Sequence, residues 1–145
     1  GIARTCMTAR AFVDSNILIY AHDPEAGLRH AQAAEKLEGL WRTRAGCLST
    51  QVLQEFYVTI TRRIPTPASA PVAREAVRRY AAWVRHPLTP DTVLRASEMS
   101  EAWQVSFWDA LILAAAEQDG ATELITEDLN HGQVIAGIRI VNPFM

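Results

Sequence analysis

The feature that most constrains the fold is a repeated alternation of very short apolar runs with longer amphipathic segments. The apolar runs are too short for helices, and they predict strands at residues 10–14, 46–49, 124–126 and 138–141. Helical spacing of apolar side chains predicts six helices, at residues 17–22, 28–43, 49–63, 72–84, 90–103 and 106–120. This alternation predicts an α/β domain with three layers, in which helices cover both faces of a central, mainly parallel sheet of about four to five short strands.

The connections follow from local turn chemistry. Residues 65–71 form a Pro-rich loop within the domain, and 130–132 form a turn. Thr89 followed by Pro90 is a strong helix start signal, and residues 87–89 before it are expected to form a brief strand.

Length predicts one domain, because 145 residues are enough to bury a sizeable core but not two. We expect this domain to span residues 10–145, with residues 1–9 as an N-terminal extension or a cloning remnant and Met7 as an alternative natural start. No apolar stretch has the length of a membrane span or a secretory signal. Cys6 and Cys47 match neither a disulfide framework nor a zinc motif, which favours a cytoplasmic protein.

Four acidic residues follow the apolar runs or lie on the predicted helices between them: Asp14, Glu55, Asp109 and Asp128. In parallel sheets, ligands bind at the carboxyl ends of the strands. Asp14 and Asp128 follow predicted strands, whereas Asp109 begins a helix and Glu55 lies in the second turn of another. One edge of the sheet can therefore collect all four carboxylates.

Each acid also has an ordinary structural interpretation. Asp109 fits a capping box with Ser106. Glu55 alone is typical of a solvated helix position, and Asp128 of a turn, where Glu127 competes with it for any role. Asp14 has no apparent local cap to satisfy, so its alternative is a buried carboxylate that holds the next loop.

Taken together, the acids indicate a metal site. Carboxylates held close together repel one another and raise each other's pKa unless a cation neutralises them. Oxygen ligands without clustered His or Cys suit Mg²⁺ or Mn²⁺, and such ions activate water for phosphodiester hydrolysis. Asn16 and Thr126 are candidate supporting residues, able to orient a carboxylate or a bound water.

Other catalytic arrangements find little support in the sequence. No Ser-His-Asp or Cys-His set and no Gly-rich phosphate loop is legible, and His22 and His131 are typical of surface or turn positions. A phospho-acceptor domain would need a late Lys, but Lys36 is the only lysine. Asn16 occupies the position where a phosphatase of the DxD type needs an acid.

The order of these motifs resembles PIN-domain ribonucleases, and most closely the VapC toxins of bacterial type II toxin–antitoxin pairs. The resemblance covers roughly residues 10–144 and rests on four segments in order: Phe12-Val13-Asp14-Ser15-Asn16, Ser49 to Glu55, Ser106-Phe107-Trp108-Asp109-Ala110 and Thr126-Glu127-Asp128. It implies a PIN-like α/β fold and a cytoplasmic bacterial endoribonuclease that cleaves RNA, often tRNA or rRNA.

The resemblance also implies a ligand set and partners. Asp14, Glu55, Asp109 and Asp128 would hold Mg²⁺ or Mn²⁺, with Asp14 and Asp109 as the most direct ligands and Asn16 and Thr126 in support. A VapB-like antitoxin would occlude the site, and homodimers are usual. Core packing is the favoured interpretation of aromatic residues on the predicted helices, such as Trp41 and Trp103. A helix of the antitoxin would need an apolar groove, which these helices could also provide. A housekeeping RNA-processing nuclease and a nuclease-dead RNA-binding module remain alternatives.

Overall fold

A five-stranded sheet organises residues 9–145, the part of the chain that the computed structural model describes. Its strands are β1 (Ala11–Val13), β2 (Gly46–Cys47), β3 (Glu123–Ile125), β4 (Val134–Ile135) and β5 (Ile138–Val141). They lie in the order β2-β1-β3-β5-β4, and all neighbours are parallel except β4 and β5. The predicted α/β fold with a mainly parallel sheet is confirmed. Predictions for residues 1–8, including Cys6 and Met7, lie outside the described residues.

The centre of the sheet is apolar because it is buried on both faces. All three residues of β1 are buried, as are Leu124 and Ile125 of β3. Val13 pairs with Ile125, so β1 and β3 end at the same level of the sheet. The residues that follow these two strands are therefore neighbours.

Six helices flank the sheet: α1 (Ser15–Ala21), α2 (Leu28–Thr43), α3 (Thr50–Arg62), α4 (Ala70–Tyr80), α5 (Pro90–Trp103) and α6 (Phe107–Gln118). Helix α1 packs against α2 and α3, α3 packs against α4, and α5 packs along α6. Residues 110–116 of α6 are all buried, which explains why this segment is the most apolar helix in the sequence.

The predicted strand at residues 87–89 is wrong. These residues form no strand, and the backbone beyond β2 instead makes a single parallel bridge between Leu48 and Val84. Pro87 has no N–H to donate to a neighbouring strand, which disfavours pairing there. Thr89 does begin α5 as predicted: its backbone N–H donates to the Thr92 hydroxyl (3.1 Å) in a capping box.

The edge strand β4 was not predicted. It turns into β5 through Ala136 and Gly137, which both have positive φ angles, 50° and 81°. Positive φ at both central residues is the requirement of a tight type I′ hairpin, which usually uses Asn-Gly or Asp-Gly. Because Ala stands at the first position in place of Asn or Asp, the sequence lacks the usual signal for this turn.

The helix predicted over residues 72–84 has different bounds in the structure. It begins earlier, at Ala70, since Ser69 caps it through the N–H of Val72, and α4 ends at Tyr80. A short 3₁₀ turn then continues over Ala81–Trp83. Among residues 9–145, no helix has the length and apolar character needed to cross a membrane.

Candidate metal centre at the carboxyl edge of the sheet

Asp14 lies directly after β1 and is buried, with 6% of its surface exposed. Its backbone N–H donates to the carbonyl of Ile125 (3.0 Å), which continues the pairing of β1 with β3. One carboxylate oxygen accepts the backbone N–H of Ser15 (2.7 Å), and the other accepts the hydroxyl of Thr126 (2.8 Å). Asp14 is thus the N-cap of α1, which corrects the expectation that it has no local cap to satisfy.

Asn16 ties Asp14 to Asp128. Its Nδ2 donates to an oxygen of Asp128 (3.0 Å) and lies at longer distances from Thr126 Oγ1 (3.3 Å) and Asp14 Oδ2 (3.5 Å). The backbone N–H of Asp128 also donates to the Thr126 hydroxyl (3.1 Å). The two supporting residues predicted from the sequence therefore link two of the predicted acids.

Glu55 is held on the exposed side of this group. Its carboxylate accepts the Ser15 hydroxyl (2.7 Å) and the side-chain amide of Gln51 (3.0 Å). Gln51 lies one helical turn before Glu55, where side chains of an α-helix meet. These two hydrogen bonds fix the position of the Glu55 side chain. Glu55 is therefore not an ordinary, freely solvated helix residue.

Asp109 lies in the first turn of α6 and is half-buried. Its backbone N–H donates to the Ser106 hydroxyl (3.1 Å), so half of the predicted capping box is present. Within residues 9–145 the Asp109 carboxylate itself makes no hydrogen bond, and the reciprocal half of the box is not formed. That carboxylate is available to an ion.

The competition between Glu127 and Asp128 is resolved by their contacts. Glu127 accepts the hydroxyl of Tyr20 (2.6 Å) and pairs with Arg29. The Asp128 carboxylate instead accepts a hydrogen bond from the side-chain amide of Asn16. Glu127 therefore has a structural partner, and Asp128 belongs to the acidic group.

Electrostatic coupling joins the four carboxylates. Burial, followed by the charges of Asp128 and Glu55, raises the pKa of Asp14 to about 7 against the hydrogen bonds from Thr126 and Ser15. Burial also raises the pKa of Asp128, with further contributions from the charges of Asp109, Glu127 and Glu55 against the hydrogen bond from Asn16. A bound cation would stabilise the charged forms of Asp14 and Asp128.

The residues present fit a magnesium-type ion. Within residues 9–145, no three Asp, Glu, His or Cys side chains converge on a single point. Mg²⁺, however, keeps several waters and commonly uses only one or two carboxylates. All the donors here are oxygens, and the buried Oδ1 of Asn16 has no hydrogen-bond partner in the described part of the chain. An unpaired buried acceptor beside carboxylates suits a hydrated cation.

Sequence reasoning missed the roles of Ser15 and Gln51. No role was predicted for Ser15, yet its hydroxyl connects α1 to Glu55 of α3. The position of Gln51, four residues before Glu55, is a signal that helical spacing could have provided. The contact with Ser15 spans 40 positions of the chain and has no local signal.

The histidines and the aromatic residues that the sequence analysis considered make other contacts. His22 packs edge-on against Phe56 and bonds the Tyr80 hydroxyl (2.9 Å), and His131 accepts the backbone N–H of Asn142 (3.0 Å). Trp41 lies against Trp83, with ring centroids 4.3 Å apart, at 39% exposure. Trp103 is 42% exposed on α5.

The fold and the acidic edge define the class of the protein as a PIN-like α/β domain. The family model described as "PIN domain" matches residues 11–135, and the chain belongs to the PIN domain family. A comparison with curated protein sequences gave no match.

Solved structures with the same fold include chains of toxin–antitoxin complexes. A chain from a toxin–antitoxin complex of Klebsiella pneumoniae is 23% identical, with a TM-score of 0.62 and coverage of 92% of this chain and 97% of that one. VapC20 of Mycobacterium tuberculosis, described as a sarcin–ricin loop cleaving toxin, is 22% identical, with a TM-score of 0.58 and coverage of 89% and 98%. A chain of DNA-bound VapBC from Salmonella typhimurium is 16% identical, with a TM-score of 0.63 and coverage of 92% and 97%. The predicted membership of the PIN domain family is confirmed, and these structures share the fold of this chain.

Proposed function

We propose that this protein is a metal-dependent endoribonuclease of the bacterial cytoplasm and the toxin of a toxin–antitoxin pair. The observation that carries the proposal is the buried Asp14, tied to Asp128 through Thr126 and Asn16 at the edge where β1 and β3 end. Membership of the PIN domain family and a fold shared with chains of toxin–antitoxin complexes support it.

The proposed ligands of Mg²⁺ or Mn²⁺ are the four acids. Asp14 and Asp109 are the direct ligands in this proposal, and Asp128 and Glu55 complete the site. When bound, the ion would supply an activated water and stabilise negative charge on the phosphodiester group.

The chain's own residues have positioning roles in this site. The Thr126 hydroxyl and the Ser15 N–H fix both oxygens of Asp14, so its orientation is set before an ion arrives. Asn16 holds Asp128 beside Asp14, and the Ser15 hydroxyl holds Glu55 at the exposed side. Preorganised ligands of this kind bind an ion at little reorganisation cost.

The enzymatic part of the proposal is tested with purified protein and labelled RNA. Cleavage is expected in Mg²⁺ or Mn²⁺ and is expected to stop in EDTA, and Asp14→Asn is expected to lower the rate at least 100-fold. Asp91→Asn is the matched control, because Asp91 is an exposed residue at the opposite end of α5 from the loop that leads to Asp109. Metal-independent cleavage, or full activity of Asp14→Asn, contradicts the proposal.

The biological role is tested by induction in bacteria. A toxin arrests growth when it is induced, and coexpression of its antitoxin, the product of a small neighbouring gene, restores growth. Induction of an RNA-processing nuclease is not expected to arrest growth.

Sequencing the RNA ends formed after brief induction identifies the substrate, for which we propose tRNA or rRNA. Light scattering of the protein alone and coexpressed tests the proposed homodimer and the complex with a VapB-like antitoxin.

A further inference from the structure

A cavity of about 420 Å³ opens beside the acidic group, along one flank of α3. Ser15 and Glu55 line it, so it shares a wall with the candidate metal centre. Ile19 and Val58 give it apolar surface, and Arg63 gives it a positive charge. Its size lies within the roughly 300–1,000 Å³ range of small-ligand sites.

Arg63 is an exposed cation without a protein partner. It ends α3, where its backbone N–H donates to the carbonyl of Thr59 (2.8 Å). Its guanidinium makes no ion pair or hydrogen bond with any residue between 9 and 145. Arginine binds phosphate through paired N–H donors, so a free guanidinium lining a cavity is suited to a phosphate group.

The negative and positive charges of the cavity do not cancel each other. Glu55 and Arg63 are eight residues apart on α3 and its end, which corresponds to about 12 Å along a helix axis. The Ser15 hydroxyl and the Gln51 amide hold the Glu55 carboxylate in place. The cavity therefore has an acidic end beside the metal centre and a basic end away from it.

We propose that this cavity binds the nucleotide next to the cleaved bond, with Arg63 on its phosphate and Ile19 and Val58 against its base or sugar. The inference rests on the proposed function, because it takes the acidic end as the place of cleavage. A single RNA strand with its scissile phosphate at the acids continues to one side, and the shared wall of Ser15 and Glu55 leads it into this cavity. A polyanion with apolar bases matches a lining that is basic at one end and apolar along its length.

The test measures binding separately from cleavage. A fluorescein-labelled, single-stranded oligoribonucleotide of mixed sequence is titrated with the full chain in EDTA over a range of salt concentrations, and anisotropy reports the affinity. Arg63→Gln is expected to weaken binding about tenfold, the size of a lost charge-assisted hydrogen bond. It is also expected to lower the slope of log K against log salt by about 0.7, the contribution of one phosphate contact to a single strand.

Two further variants separate this role from general charge. Arg63→Lys keeps the charge and is expected to retain the salt slope. Arg62→Gln is the matched control, since Arg62 is an equally exposed neighbour on α3 that does not line the cavity. An unchanged slope in Arg63→Gln, or equal losses in Arg62→Gln and Arg63→Gln, overturns the inference. If Arg63→Gln is destabilised, as a lower urea midpoint than that of the wild-type protein would show, Arg63→Met replaces it in the same comparison.

Cleavage kinetics distinguish failure of this inference from failure of the proposed function. In an active enzyme, Arg63→Gln is expected to raise KM with kcat unchanged, because the contact is equal in the ground and transition states. A protein that cleaves RNA but shows no Arg63 effect on binding or KM overturns the cavity alone. A protein that cleaves no RNA, yet shows the Arg63-dependent salt slope, overturns the proposed function and leaves the binding site standing.

Discussion

Asp14→Asn is expected to stabilise the metal-free protein at alkaline pH, although it removes the central residue of the candidate site. Burial raises the pKa of the Asp14 carboxyl from 3.8 to about 7. In the unfolded chain the same carboxyl ionises near its ordinary value, so between these two pH values the folded state holds a proton that the unfolded state has lost. Stability conferred by this group is therefore fully present below about pH 4 and declines as the pH rises to about 7.

The size of the effect follows from the two pKa values. Linkage gives a cost to the wild-type protein of about 1 kcal/mol at about pH 4.5 and about 4 kcal/mol at about pH 8. Asparagine has no charge to desolvate, and its amide oxygen can still cap α1 by accepting the N–H of Ser15. The free energy of unfolding of the variant, relative to wild type, should therefore increase by about 3 kcal/mol between these pH values.

Urea unfolding in EDTA at the two pH values measures this difference, with the midpoint and slope fitted for each protein. Asp91→Asn is the control, because it removes an exposed carboxylate that lies outside the acidic group. If the relative free energy of unfolding of Asp14→Asn increases by less than about 1 kcal/mol between the two pH values, the inference that burial disfavours the charged form of Asp14 is refuted.

Adding metal should narrow the difference in stability between the two proteins. An ion that binds only the folded state at 100 times its Kd stabilises it by about 2.7 kcal/mol. At about pH 8 the wild-type protein should gain this stability with Mn²⁺, and Asp14→Asn should gain much less. Equal gains in both would show that Asp14 is not a ligand.

Three smaller perturbations test the packing and charges around the fold. Gly46→Ala should cost about 1–3 kcal/mol in urea unfolding, because the added Cβ would lie 2.6 Å from the ring of Trp83. His22→Gln should remove an acid sensitivity: burial lowers the pKa of His22 from 6.5 to about 4, so wild-type stability should fall relative to the variant by about 2–3 kcal/mol as the pH drops through that interval. The exposed pair of Arg95 and Glu117, joined at 2.8 Å and 2.9 Å, should show a coupling of no more than about 1 kcal/mol in a double-mutant cycle, and a larger value would contradict the expected solvent screening.

The sequence predicted the parts of the site that depend on where strands end. Parallel strands that finish at the same level place the following residues side by side, so the closeness of Asp14 to Thr126 follows from two short apolar runs.

What the sequence could not show depends on contacts between distant side chains and on unusual backbone. The hydroxyl of Ser15 reaches Glu55 only because α1 and α3 pack together, and no local pattern encodes that packing. The β4 hairpin was missed because Ala136 occupies a left-handed conformation that is usual for Asn or Gly. The cap that Asp14 provides to α1 was missed because the helix begins immediately after the strand, without the separate loop that was expected.

The pairing of β1 with β3 has a consequence for synthesis on the ribosome. Asp14 and Thr126 are 112 positions apart, so the second half of the site leaves the ribosome long after the first. Until then α1 and α3 can pack, but the first strand lacks its central neighbour and the acidic group is incomplete. A nascent chain, or one terminated before Thr126, therefore carries Asp14 without the residues that orient it, and the candidate centre forms only after β3 and Asp128 have been made.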